Sequence, residues 1–222
     1  MSEENFIPLV NYRKYPEAEM KERATHFYED MRRRRTVRDF SDQPVDRSII
    51  DNCIRTAGTA PCGANQQAWK FVVVSNPEMK SKIRNAAEKV EAEFYTKEAT
   101  GKWRDALKHL ETGPKKPFLE TAPYLIVIFA EQYGFSPEGE KIKHYYVKES
   151  TGISTGMLIT ALHNAGLASL TYTPVNMSFL NGLLARPASE KPFMILVAGY
   201  PSDSVLVPDL TKKALEDIAD FV

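Results

Sequence analysis

Four short apolar runs, at residues 69–75, 124–130, 167–173 and 193–199, constrain the fold more than any other feature of the sequence. Each has the length of a strand and is far too short to span a bilayer. Phe71-Val72-Val73-Val74 and residues 124–130 read as strands buried on both faces. Helical patterns surround these runs irregularly. Residues 16–33 and 46–60 come before the first strand, and the second pattern sets Ile49, Ile50, Cys53, Ile54 and Ala57 on one face. Asn76-Pro77 is a cap and first-turn pair for a long helix reaching about residue 98. A shorter helical pattern lies around Trp103, Leu107 and Leu110, another helix covers about 145–164, and a short one separates the last two strands. From Thr211 onward the chain reads as a weak helix or an extended arm. Helices ahead of the first strand and an uneven alternation predict an α+β fold, a three-layer α/β/α sandwich around a mixed sheet.

At 222 residues and 43% apolar, the chain suits one domain with a sizeable core. Lys+Arg and Asp+Glu are equal at 29 each, so no global field draws it to nucleic acid or a membrane surface. The only cysteines, Cys53 and Cys62, form no CxxC pair, which argues against a disulfide framework or zinc site and fits a reducing compartment. The start, Met1-Ser2-Glu3-Glu4, has no signal-peptide character, and a cytoplasmic, soluble protein is expected.

Several familiar motifs fail. Gly152-Ile153-Ser154-Thr155-Gly156 matches G-x-S-x-G, but the residues before it read as helix where a nucleophile elbow needs a strand, and the only later histidine is His163. Its small residues instead permit close helix packing. Residues 58–63 have P-loop spacing, with Ala64-Asn65 where Lys-Ser/Thr is required. No G-x-G-x-x-G follows a strand. His26, His109, His144 and His163 lack metal-ligand spacing, so no metal is expected.

The densest positive patch is Arg32 to Arg35 with Arg38. It reads either as a basic helix end complementing the macrodipole or as a phosphate clamp. In an extended segment Arg34, Thr36 and Arg38 face one side and Arg35 the other, and two guanidinium forks with a hydroxyl suit a monophosphate. A second candidate is Thr59-Ala60-Pro61-Cys62-Gly63-Ala64-Asn65, whose small residues let backbone amides approach a ligand. Cys62 lacks a neighbouring histidine and reads as a small loop residue rather than a nucleophile. A third is Thr171-Tyr172-Thr173-Pro174-Val175-Asn176 at a strand end, where ligands are commonly held.

Arg-Arg-Thr-Val-Arg at 34–38, Pro-Cys-Gly-Ala-Asn at 61–65, and Ala-Gly-Tyr-Pro at 198–201 resemble the FMN-dependent nitroreductase superfamily. Residues 54–61 and 171–176, Arg186-Pro187-Ala188 and Pro208-Asp209-Leu210 are similar to its iodotyrosine deiodinase branch. The resemblance runs from about Tyr28 to the C-terminus. It implies a domain-swapped homodimer in which two chains build each of two active sites. It also implies an N-terminal helical arm (about 1–33), a substrate lid (about 91–116) and a C-terminal arm (about 205–222) on a single domain. FMN is the implied cofactor, bound through Arg34, Arg35, Thr36, Val37 and Arg38. Pro61, Cys62 and Gly63 would meet the flavin across the dimer interface, and Thr171, Tyr172 and Thr173 its ring edge. Lys212 stands where the family tends to have arginine near the phosphate, keeping the charge and losing the fork. Animal members carry an N-terminal membrane anchor, which this sequence is expected to lack.

The branch holds an amino-acid zwitterion with a Glu, a Tyr and a Lys, matching Glu91, Tyr95 and Lys116. The residues themselves leave this open. Glu91 and Tyr95 are an i,i+4 pair about a quarter-turn off a core stripe of Met79, Ile83, Val90 and Phe94, where they could face a ligand, though on the residues alone a solvated Glu beside a snorkelling Tyr is the preferred reading. Lys116, in a Gly-Pro-Lys-Lys-Pro turn, is by default a surface lysine. The resemblance implies reductive dehalogenation of 3-halotyrosines to tyrosine and halide. The Ala64 N–H would support the phenolate oxygen, and the Thr173 hydroxyl at flavin N5, as the catalytic residue, would favour one-electron transfer. Electrons would come from a separate reductase or NAD(P)H. An NAD(P)H-dependent nitro or quinone reductase, or a flavin or amino-acid binding protein without turnover, is the alternative.

Overall fold

The computed structural model describes residues 6–97 and 113–222; the helical pattern around Trp103, Leu107 and Leu110 and most of the expected lid lie outside the described residues. The chain divides into two compact units, Met1–Arg34 and Arg35–Val222. The first contains helix α1 (Glu17–Arg32), which begins after Pro16 and has two acidic residues in its first turn and Arg32 in its last, matching the helix dipole at both ends. Arg33 bonds Asp30, and the Arg23 guanidinium lies over the Tyr15 ring.

The second unit is built on a four-stranded sheet in the order β1 (Trp69–Val74), β2 (Tyr124–Glu131), β6 (Glu190–Gly199), β5 (Ala168–Tyr172). All three ladders are antiparallel, and the parallel component of the sheet is the isolated bridge Thr36–Ser169. The strand side chains alternate between two cores. Leu125, Val127, Phe129, Ile195 and Val197 face the layer containing α3 (Pro77–Lys97), α4 (Phe118–Thr121) and α6 (Phe179–Leu183). Ile126, Ile128, Leu196 and Ala198 face α2 (Arg47–Gly58) and α5 (Val147–Asn164). Both sides of β2 are therefore dry, which is why its sequence is continuously apolar. The β2–β6 register slips between Ile128 and Phe129, where Phe193 is the extra residue beside Pro192. A proline lacks the N–H that an unbroken ladder would need there.

Local signals fix the helix ends. Asp46 caps α2 by accepting from the Ser48 N–H at 2.7 Å, and Asn76 caps α3 by accepting from the Met79 N–H at 2.8 Å. Ser154, inside the failed G-x-S-x-G motif, donates to the Ala57 carbonyl at 2.8 Å, so its hydroxyl fastens α5 to α2. A hairpin of β3 (Tyr133–Phe135) and β4 (Lys141–Lys143) projects after β2. It was not visible in the sequence, because its three-residue strands are too short to set a period.

Candidate active site

The segment after Arg35 runs alongside β5. The Val37 N–H donates to the Ser169 carbonyl at 3.3 Å, and the Ser41 N–H to the Tyr200 carbonyl at 2.9 Å. Val37 turns into the core, so anything it offers a ligand comes from its backbone. Arg35 and Thr36 remain partly exposed, and Arg35 donates to the Pro208 carbonyl at the start of the C-terminal arm. Arg38 is half-buried, and burial lowers its pKa. Among the described residues it has no carboxylate at ion-pair distance. A guanidinium desolvated without an anion is suited to a phosphate or another anionic ligand. Arg34 belongs to the other unit.

Glu91 and Lys116 are both buried, at 7% and 6% exposure. The helix explains Glu91: Ile83, Ala87 and Glu91 succeed one another at i,i+4 on the buried line of α3, while Val90 and Phe94 are only partly buried. Glu91 thus lies on the core stripe rather than a quarter-turn off it. Lys116 Nζ lies 3.5 Å from Glu91 Oε2, and the Tyr172 hydroxyl donates to Glu91 Oε1 at 3.2 Å. The Lys116 ammonium is 5.5 Å from the centroid of the Tyr172 ring, which also packs edge-on against Phe118. Burial lowers the Lys116 pKa; Glu91 opposes this, and Arg38 adds to it by like-charge repulsion. Burial raises the Tyr172 pKa, with the Glu91 charge next and Glu88 and Tyr95 contributing, so its hydroxyl stays a donor. Tyr95 is therefore close enough to act on this cluster, and it packs edge-on against Phe94.

The turn carrying Lys116 is anchored by Glu88, a residue the sequence reading did not select. Glu88 accepts from the Lys116 N–H at 2.7 Å, from Arg84 at 2.8 Å and from Lys115 at 3.4 Å, and Arg84 continues to Glu120 at 2.7 Å. The Arg84–Glu88 spacing was a legible i,i+4 pair, but its link to Lys116 spans 28 residues and needs the fold.

Thr171 and Thr173 are exposed on either side of buried Tyr172, at the end of β5. The loop Pro61-Cys62-Gly63-Ala64 makes its hydrogen bonds elsewhere. Cys62 Sγ accepts from the Gln67 N–H at 3.2 Å, and Gln66 Oε1 from the Tyr145 N–H at 3.0 Å. Ala64, Asn65 and Gln67 all have positive φ, a conformation non-glycine residues hold only where the surroundings impose it. A Cβ on Gly63 would lie 2.9 Å from the Tyr146 ring, so glycine admits the tyrosine pair at this turn. Lys212 is exposed on the C-terminal arm. Among the described residues no cluster of His, Cys, Asp or Glu could hold a metal ion.

The residues therefore form two groups: Arg38, Glu91, Tyr95, Lys116 and Tyr172 near the end of β5, and the strained loop at 61–67. The first offers unlike charges for a small zwitterion beside a cation for an anion; in the second the N–H groups of Asn65, Gln66 and Gln67 are spent within the loop, which leaves those of Cys62, Gly63 and Ala64 to meet a ligand.

An iodotyrosine deiodinase from Haliscomenobacter hydrossis is 47% identical over 208 residues, covering 94% of this chain and 93% of that protein. Iodotyrosine deiodinase 1 from Homo sapiens is 47% identical over 220 residues, covering 98% of this chain and 76% of that protein. A crystal structure of oxidised iodotyrosine deiodinase bound to FMN and 3-iodo-L-tyrosine superposes with a TM-score of 0.75 at 29% identity, covering 88% of this chain and all of that one. Residues 31–200 match the nitroreductase family, and with these relatives the chain belongs to that family, in its iodotyrosine deiodinase branch.

Proposed function

We propose that this chain is an FMN-dependent oxidoreductase that removes halide reductively from 3-halotyrosines. The observation carrying the reading is the buried Glu91–Lys116 pair, 3.5 Å apart beside Tyr172. Two opposite charges held out of water next to each other match the α-ammonium and α-carboxylate of a free amino acid, which exchanges one ion pair for two. In this reading Glu91 takes the ammonium, Lys116 the carboxylate, and Tyr95 packs beside them.

Arg35, Thr36 and Arg38 would hold the FMN phosphate and ribityl chain, with the Val37 backbone alongside and Lys212 supplying a further positive charge. Thr171 and Thr173 would border the flavin ring with their side chains and Tyr172 with its backbone, and the Thr173 hydroxyl would serve flavin N5. The Ala64 N–H, fixed by the strained loop, donates to the phenolate oxygen of the substrate. The chemistry that bound, reduced FMN supplies is two electrons in single steps, so that the carbon–halogen bond breaks, halide leaves and a proton completes the new C–H bond. The electrons reach it from NAD(P)H or a separate reductase. Sparse cysteines, both free, are the ground for a cytoplasmic setting.

A homodimer completes the site. The outer edge of β1 has no strand partner among the described residues, and Leu206, Leu210, Leu215, Ile218, Phe221 and Val222 on the C-terminal arm are exposed. A Cβ on Gly152 or Gly156 would meet nothing within 4 Å, so packing inside one chain does not account for these helix glycines. An apolar arm and a glycine-bearing helix face both suit a second copy, whose Pro61, Cys62 and Gly63 would then reach the flavin of the first.

The test is anaerobic. The holoenzyme is reduced, and 3-iodotyrosine is added without oxygen. Flavin reoxidation with stoichiometric iodide is expected. No iodide release, with rapid NADPH oxidation and nitroaromatic turnover, would replace this reading with a nitro or quinone reductase.

A further inference from the structure

The side chain of Tyr172 has no part in the function above, which uses residues 171–173 only as the strand end beside the flavin. It nevertheless touches both members of the Glu91–Lys116 pair, the hydroxyl 3.2 Å from Glu91 Oε1 and the ring centroid 5.5 Å from Lys116 Nζ. It is 7% exposed and braced by Phe118 at 5.5 Å between ring centroids. An unconstrained ammonium–carboxylate pair closes to about 2.7–2.9 Å. Here the separation is 3.5 Å, and the Tyr172 contact at 3.2 Å is likewise longer than the roughly 2.5–2.7 Å of a tight O–H···O⁻ bond, with one Glu91 oxygen toward Tyr172 and the other toward Lys116.

We propose that Tyr172 is a positioning residue for amino-acid recognition: by tying one Glu91 oxygen and presenting its ring to Lys116, it keeps the pair open so that a free amino acid can part it. The inference rests on the assignment of Glu91 and Lys116 to the substrate zwitterion. The physical reason is competition for Glu91. In the ligand-free chain a buried carboxylate gains most by folding tightly onto its lysine, and every increment of that gain is lost when substrate enters. The Tyr172 hydroxyl offers Oε1 a partner that does not change on binding, so only Oε2 must exchange Lys116 for the incoming ammonium. The ring gives Lys116 a second favourable contact as it turns toward the carboxylate. Burial keeps the phenol protonated, so the donor persists across the working pH range.

Tyr172→Phe removes the hydroxyl and retains the ring. In the FMN-loaded enzyme we expect the Kd and KM for 3-iodotyrosine to rise about ten-fold, the worth of one hydrogen bond to a charged group. The readout is the split between the two constants, with the loss falling on Kd and KM far more than on kcat at saturation. A general packing role would lower flavin content or kcat together with affinity, and that result overturns the proposal, as does unchanged affinity. Glu91→Gln, measured alongside, should raise Kd by about thirty-fold or more, since it removes one member of a buried charge pair. In the Glu91→Gln background Tyr172→Phe should add nothing, because the two act through one carboxylate; a full additional loss there also overturns the proposal. Should Glu91→Gln leave binding intact, the zwitterion assignment itself fails. Weakening by Glu91→Gln alone removes only the role of Tyr172.

Discussion

Lys116 shows most clearly how a residue's meaning changes with its surroundings. In sequence it is one of two adjacent lysines in a proline-flanked turn, and solvation is the default expectation for both. Lys115 meets that expectation at 81% side-chain exposure, whereas Lys116 is buried against Glu91. Burial lowers the Lys116 pKa below its ordinary 10.5, and the nearby Arg38 pushes the same way. Lys116 is charged below its lowered pKa and can pair with a carboxylate there, and it loses that ability as pH rises through it. Halotyrosine affinity should therefore begin to fall on the alkaline side sooner than an ordinary lysine would allow. Lys116→Arg stays charged throughout, so the ratio of wild-type to variant affinity should decrease with rising pH in a titration of substrate binding. A constant ratio would mean that Lys116 does not bind the carboxylate.

The elements were legible where a local rule governs them. The capped starts of α2 and α3 follow from Asp46 and Asn76, and the doubly dry β2 from its unbroken apolar run. The junction of strands was not. At the end of β6, Gly199 lies where Pro123 enters β2; a Cβ there would overlap Pro123 Cδ and lie 2.8 Å from Cγ. A rigid pyrrolidine just ahead of a strand, itself partly buried, has little room to yield, so the glycine is a requirement of close approach and not of turn conformation. Gly199→Ala should cost about 1–3 kcal/mol by urea denaturation. The same experiment on Gly152→Ala separates the two kinds of glycine: with nothing within 4 Å of the added Cβ, the single chain should tolerate it, and any loss should appear in association.

Association is the property of the whole molecule. The C-terminal arm exposes a series of large apolar side chains that a solitary chain has no reason to keep, and its regular structure is limited to one turn at Leu215–Asp217. If the proposed dimer holds, removing residues 211–222 should leave a monomer in sedimentation velocity that retains flavin poorly, because Lys212 and the partner's loop are both assigned to the flavin site. A truncated chain that remains dimeric with full flavin would place the interface elsewhere. The sequence by itself determined the layers, the helix caps and, through matching motifs, the family, because apolar period, capping chemistry and short motifs are properties of neighbouring residues. Only the tertiary structure decided that Glu91 lies on the buried line of α3, that Glu88 anchors the turn of Lys116, and that Tyr172 stands between the charges. Those residues come from a helix, a turn and a strand end far apart in the chain, and burial and ion pairing depend on what the fold brings alongside.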